Sequence, residues 1–313
     1  MLATLSVVLP IFGLVLAGYV CRRLHIFGPA ATSELNRFVV WLGLPALFFH
    51  ITAKADWADL YHPGFTAAFT LACFIVFFLT LALRARSRGL AEGSVDALNA
   101  AYPNSGYMGF PLGFLVFGPE SYPFVAISAI VTVCLVFGLA IVLLEIGLQE
   151  QRRFWPTFRK VAFSLAKNPL LVAPALGVLY GATRLPLPQS ADSLLSLLGG
   201  AASPCALVAL GTFMADRKPD EDTGPDGVVL LTALKLVLLP AVAWLLAYCV
   251  FDLTDMTAAL TVLLCALPTG TGPFMLAEYY KRGAAVTART ILYSTVLSVL
   301  TLSILLYVSE AGT

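Results

Sequence analysis

The chain of 313 residues is 59% hydrophobic and 12% charged, with a formal net charge of +1 and a mean hydropathy of +0.88. Soluble domains carry about 25% charged residues, so a water-soluble globule is excluded, and a charge this close to zero offers nucleic acid no electrostatic footing. At roughly 20 apolar residues per crossing plus short joints, the length suits about ten membrane helices.

Ten apolar segments follow in order, over residues 2–21, 33–52, 63–84, 92–118, 122–147, 161–180, 191–215, 227–250, 256–280 and 284–308. The first has no basic stretch ahead of it and is followed by Arg22 and Arg23, the pattern of a span and not of a cleaved leader. The joints carry turn residues, such as Phe27-Gly28-Pro29, His62-Pro63-Gly64 and Gly118-Pro119. The connection over residues 216–226 is the most polar of them.

Basic residues alternate with the joints. The odd-numbered connections hold Arg22 and Arg23, then Arg84, Arg86 and Arg88, then Arg152, Arg153, Arg159 and Lys160, then Arg217 and Lys218, then Lys281 and Arg282. The even ones hold only Lys54 and Arg184. Excess Lys and Arg marks the cytoplasmic side, which places both termini outside the cytoplasm.

Spans four and nine are interrupted at their centres. The first reads ALNAAYPNSGYMGFPL from Ala97 to Leu112, the second LLCALPTGTGPFMLAEYY from Leu263 to Tyr280. A helix in lipid bonds its own backbone, so a break at depth is tolerated only where protein, water or a solute satisfies the exposed groups. Paired breaks in the two halves of a chain point to the binding site of an inverted-repeat carrier. Each break yields a fresh helix N-terminus whose N–H groups and positive dipole end suit a carboxylate. Pro103, Asn104, Ser105 and Gly106 form the first candidate cluster; Pro268, Thr269, Gly270 and Thr271 form the second. Pro111 and Pro273 fall where the second half-helices restart.

Other markers recur in the same order in both halves. Pro10-Ile11-Phe12-Gly13 matches Pro174-Ala175-Leu176-Gly177, Pro45 in span two matches Pro204 in span seven, and Pro103 matches Pro268. Five spans separate each pair, an odd number, so the halves over residues 1–150 and 151–313 stand inverted to one another. Pro45 and Pro204 are expected beside the breaks, loosening the helices that border the site.

Lys235 lies about nine residues into span eight, at a depth of ~13 Å. A cation there costs at least ~2.5 kcal/mol unless partnered. It is a candidate counter-charge for an anion, or a strut capping half-helix carbonyls. Glu34, Asp96, Glu145, Asp192 and Glu278 fall near span ends and read as solvated; Asp96 is the deepest and a candidate coupling residue. The six cysteines form no C-x-x-C pair and the three histidines lack metal spacing, so neither cofactor nor metal is expected. No Ser/His or paired-Asp constellation suggests an enzyme, and a receptor gives no reason for mirrored breaks.

The segments VLPIFGLVLAGYVCRRLHIF, ELNRFVVWLGLPALFF, PNSGYMGFP, KNPLLVAPALGVLY, AASPCALVALG and LPTGTGPFMLAEYYKRG resemble the auxin efflux carrier family, in order and over nearly the whole chain. The resemblance implies an all-α membrane protein of ten helices in two inverted five-helix repeats, with broken, crossing helices four and nine, as in bile-acid symporters. It implies transport of small organic anions, auxin in plant members and malate, malonate or related carboxylates in bacterial ones. Plant members typically carry Asn-Pro-Asn at the crossover. Here Tyr102 precedes Pro103, Leu267 precedes Pro268 and Thr269 follows it, and the long hydrophilic loop of many plant members is absent. A compact carrier of the bacterial inner (plasma) membrane fits better. The expected partners are a carboxylate substrate, the lipid bilayer and a second copy in a homodimer. A cation-coupled symporter or sodium/proton antiporter of the same architecture is the alternative, and it usually needs deep acids.

Overall fold

The computed structural model describes residues 2–54, 61–149, 163, 166–216 and 225–311. Among these residues every regular element is helical. The helices are α1 (Leu2–Arg23), α2 (Ala31–Ala53), α3 (Pro63–Ala101), α4 (Phe110–Phe117), α5 (residues 122–147) and α6 (Pro169–Ala182). They continue with α7 (Gln189–Asp216), α8 (Gly227–Val250), α9 (Asp255–Ala266), α10 (Gly272–Tyr279) and α11 (Ala284–Ala311). Among the described residues six stretches are long and apolar enough to cross a bilayer: α2, α3, Phe110–Gly147, α7, α8 and Ala284–Tyr307. The apolar helices α6 and α9 are shorter. Large apolar side chains face outward on α6, where Leu176 and Leu179 are exposed, and on α11, where Leu297, Leu300 and Ile304 are exposed while Ile291 and Leu302 are buried. A helix apolar on all sides suits lipid.

Prolines shape the spans. Pro45 and Pro240 lack an N–H for the preceding turn, and the chain widens to π-turns over Val39–Gly43 and Leu234–Leu238 just ahead of them. The second of these turns carries Lys235.

Packing divides the helices into two sets. In the first, α7 lies along α1 and α2, and α2 along α6. In the second, α3 packs on α5, α8 and α9, and α11 on α8 and α10. The first set closes through glycines. A Cβ on Gly211 would sit 2.0 Å from the Val15 carbonyl oxygen, and one on Gly18 2.2 Å from that of Val208. Close backbone approach of this kind drives association of helices in lipid, where burial of apolar area supplies little. Gly211→Val is therefore expected to push α7 off α1 and to cost about 1–3 kcal/mol, read as a lower melting temperature of the detergent-solubilised protein.

Ion pairs tie each set internally. In the first set Arg22 meets Asp216 at 2.6 Å and Lys54 meets Asp192 at 2.9 Å, with His50 hydrogen-bonded to the same Asp192 carboxylate at 2.7 Å. In the second, Asp96 accepts Arg84 Nε at 2.8 Å and pairs with Arg88 at 3.3 Å, while Glu92 joins Arg88 at 2.8 Å to Arg282 at 3.7 Å.

Two sequence expectations are corrected here. Spans three and four are not separated by a loop between Arg84 and Glu92: helix runs to both sides of a single turn at Gly89, whose φ of 78° is open to glycine. That turn folds Asp96 back onto Arg84 and Arg88, so Asp96 is fully buried and not solvated. Glu145 and Glu278 are buried as well, the first accepting the Tyr280 hydroxyl at 2.6 Å and the second paired with Lys281. The polar connection at 217–224, the basic stretch 150–160 and the expected start of span six lie outside the described residues.

Candidate functional site

Both expected interruptions are present. The helix α3 stops at Ala101, and α4 begins at Phe110 after a wide turn over Ser105–Gly109; α9 stops at Ala266 and α10 begins at Gly272. Pro111 and Pro273 occupy the first turns of α4 and α10, where no N–H is needed.

The two breaks cross and satisfy one another. Pro103 and Thr269 form an antiparallel bridge. The Asn104 N–H donates to the Pro268 carbonyl at 2.9 Å, and the Gly270 N–H to the Tyr102 carbonyl at 3.1 Å. Part of the backbone expected to be bare is thus paired, one donor and one acceptor from each break. Thr269 is anchored further: its hydroxyl donates to the Asn99 carbonyl at 2.8 Å, and its N–H to Ser294 Oγ at 3.2 Å. The Asn99 amide in turn donates to Thr287 Oγ1 at 2.8 Å.

Lys235 supports the second break from behind. Its fully buried ammonium donates to the carbonyls of Cys265 at 2.8 Å and Leu267 at 2.5 Å. These groups stand at the carbonyl end of α9, where a helix leaves unpaired acceptors and partial negative charge. A cation there offsets both. Ser105 Oγ and Asn99 Oδ1 are buried without a hydrogen-bond partner, unfilled polar capacity at the crossover itself.

A cavity of about 310 Å³ opens beside this crossing, on the seam between the two helix sets. Its volume falls in the range of small-molecule sites. Tyr102, Pro103, Asn104 and Gly106 reach it from the first break, Thr271 and Gly272 from the second. From across the seam come Leu47, Phe48 and Ile51 on α2 and Gly199, Gly200 and Ser203 on α7; Thr132 on α5 completes the polar lining. A Cβ on Gly272 would meet the Tyr102 hydroxyl oxygen at 2.8 Å, so that glycine seats the ring that walls the cavity.

Of the residues singled out in the sequence, Pro103, Asn104, Gly106 and Thr271 line this cavity. Ser105, Pro268, Thr269 and Gly270 lie in the crossing beside it. Pro45 and Pro204 sit within α2 and α7 without lining it, and Lys235 lies behind α9. Gly272, the end of the second break, lines it too, whereas nothing in the sequence marks Tyr102, Thr132, Ser203, Gly199 and Gly200 as lining residues. Single hydroxyls and glycines in apolar runs carry no mark of which helix face they occupy.

Comparison with known proteins finds similar sequences. A sequence profile described as membrane transport protein matches residues 3–306. A protein of Rhizobium meliloti (strain 1021) named "Putative malonate transporter" is 30% identical over 309 residues, covering 98% of this chain and 96% of its own. An "Uncharacterized transporter" of Methanothermobacter thermautotrophicus is 29% identical, covering 94% and 95%. "Auxin efflux carrier component 8" of Arabidopsis thaliana is 21% identical, covering 88% and 89%.

Proposed function

This chain belongs to the membrane transport protein family that includes the auxin efflux carriers, and from that premise we propose that it carries small organic anions by alternating access. It is a transporter and not an enzyme. The architecture we propose is ten spans in two inverted five-helix repeats, residues 1–150 and 151–313, in a bacterial inner membrane with both termini outside the cytoplasm.

The observation that carries the reading is the cavity, lined jointly by the two breaks and lying between two helix sets each tied within itself. A solute seated there touches both sets, so movement of one past the other would expose it to alternate sides. The carboxylate would face the start of α10 at Thr271 and Gly272 and the turn at Gly106, with the Asn104 amide and the hydroxyls of Thr132 and Ser203 as further donors. Lys235 would act through α9: by neutralising its carbonyl end, it removes the negative potential that would oppose an anion at the crossing. The name of the Rhizobium meliloti relative favours short dicarboxylates among the substrates.

Thermal-shift titration of the purified protein with malonate, malate and short monocarboxylates tests this, followed by uptake into proteoliposomes. At least one of them is expected to bind and to be taken up. Asn104→Ala should weaken that binding by about tenfold, the worth of one hydrogen bond to a charged group, with the melting temperature of the unliganded protein unchanged. If none of these acids binds or is transported, the reading fails.

A further inference from the structure

The second break carries two glycines, Gly270 and Gly272, on either side of Thr271. Neither takes the positive φ that would by itself call for glycine. Their smallness serves a close approach instead, and what approaches is Tyr102 from the first break. A Cβ on Gly270 would stand 2.9 Å from Tyr102 Cε1 and 3.0 Å from Cδ1. One on Gly272 would stand 2.8 Å from the hydroxyl oxygen and 2.9 Å from Cζ. One edge of the phenol, hydroxyl included, therefore runs along the backbone from Gly270 to Gly272.

The ring is held on its other sides as well. Its own carbonyl accepts the Gly270 N–H at 3.1 Å, which fixes the root of the side chain at the crossing. Phe137 of α5 packs against it, 5.8 Å between centroids with the planes inclined by 59°. Tyr102 is only 7% exposed, and it lines the crossover cavity together with Gly272.

The hydroxyl has no such tie. A buried tyrosine usually finds a partner for its O–H, as Tyr280 does on Glu145 at 2.6 Å. Among the described residues the Tyr102 hydroxyl makes no hydrogen bond, although it stands beside Gly272 on the cavity wall. The helix α10 begins at Gly272, so the free hydroxyl and the first helix N–H groups, which lack intrahelical acceptors, lie together.

We propose that Tyr102 determines which acids the crossover cavity accepts: its ring is a fixed end wall that admits chains no longer than malate, and its hydroxyl donates to the carboxylate seated at the start of α10. The proposal rests on the carrier reading above and narrows its substrate class to short-chain acids. A cavity of about 310 Å³ stands at the low end of small-molecule sites. The ring that bounds it has backbone along one edge and Phe137 packed against it, so a longer solute meets a wall and not a side chain free to swing aside. A phenol keeps its proton at neutral pH, and so offers a donor without adding charge to the cavity.

The test pairs acids of equal charge that differ in chain length, malonate with adipate and propionate with hexanoate, in thermal-shift titrations of the purified full-length protein. The parent should bind the shorter member of at least one pair and discriminate against the longer. Tyr102→Ala removes the wall, and should tighten binding of the longer acids by about 10–200-fold, the range that the fit of a methylene group is worth in an apolar pocket. Tyr102→Phe keeps the wall and loses the donor. It should weaken the shorter acids by about tenfold and still refuse the longer ones. A residue that merely held the crossing together would weaken every acid alike when replaced. Tyr102→Leu stays apolar against Phe137 but falls short of Gly272, and it decides the matter if Tyr102→Ala fails to fold. The proposal is overturned if the folded Ala or Leu variant gains neither longer acid, or if the parent binds long and short acids equally well. A parent that binds no short acid sinks the carrier reading instead, and the gain of adipate or hexanoate binding on removal of the ring still reports the wall.

Discussion

Lys235→Met is expected to abolish solute uptake, with a fall of at least ~100-fold, equivalent to about 2.7 kcal/mol. Methionine fills much of the same apolar stem volume but donates nothing, so the carbonyls of Cys265 and Leu267 lose the donor that holds them. Each buried acceptor left unpaired costs about 1–3 kcal/mol. The penalty falls on the break itself, next to the Pro268 carbonyl that receives the Asn104 N–H. Uptake into proteoliposomes and thermal unfolding in detergent read the two effects separately. Unchanged uptake would mean that the crossing keeps its shape and potential without the ammonium.

Asp96→Asn should be the most destabilising single polar exchange in the second helix set. The carboxylate is fully buried and serves two guanidinium groups, Arg84 at 2.8 Å and Arg88 at 3.3 Å. Removing one member of a buried ion pair leaves the other charge uncompensated, at a cost of about 3–5 kcal/mol. Arg88 retains Glu92 at 2.8 Å, so the burden rests chiefly on Arg84. Unfolding in a denaturant series should report the loss, and Arg84→Met combined with Asp96→Asn should recover part of it, since the double variant buries no orphaned charge. A loss under about 1 kcal/mol in Asp96→Asn would show that solvent reaches the pair.

Much of the scaffold was legible because lipid is an undemanding solvent for a sequence reader. Apolar runs of bilayer length stand out, and Pro-Asn-Ser-Gly or Pro-Thr-Gly-Thr-Gly inside them cannot continue a helix, so both breaks and both restarts at Pro111 and Pro273 could be placed. What the sequence concealed was pairing across distance. Asp96 reads as an end-of-span acid until the turn at Gly89 returns it to Arg84. That turn itself is hidden because its flanks, rich in Arg, Ala and Leu, are good helix formers. Lys235 was visible as an anomaly of depth, yet which acceptors it reaches depends on how α8 leans on α9. The cavity walls from α5 and α7 left no trace, because Thr132 and Ser203 look like any other hydroxyl in a membrane helix.

The bridge between Pro103 and Thr269 has a consequence for any attempt to divide the chain. Each half brings one amide and one carbonyl that only the other half answers: Asn104 and Tyr102 on one side, Gly270 and Pro268 on the other. A fragment ending in the connection after α5 would enter the bilayer with both of its groups unanswered, at a cost of several kcal/mol apiece in hydrocarbon. Co-expressed fragments should therefore find each other and assemble, while either one alone should be cleared by proteolysis.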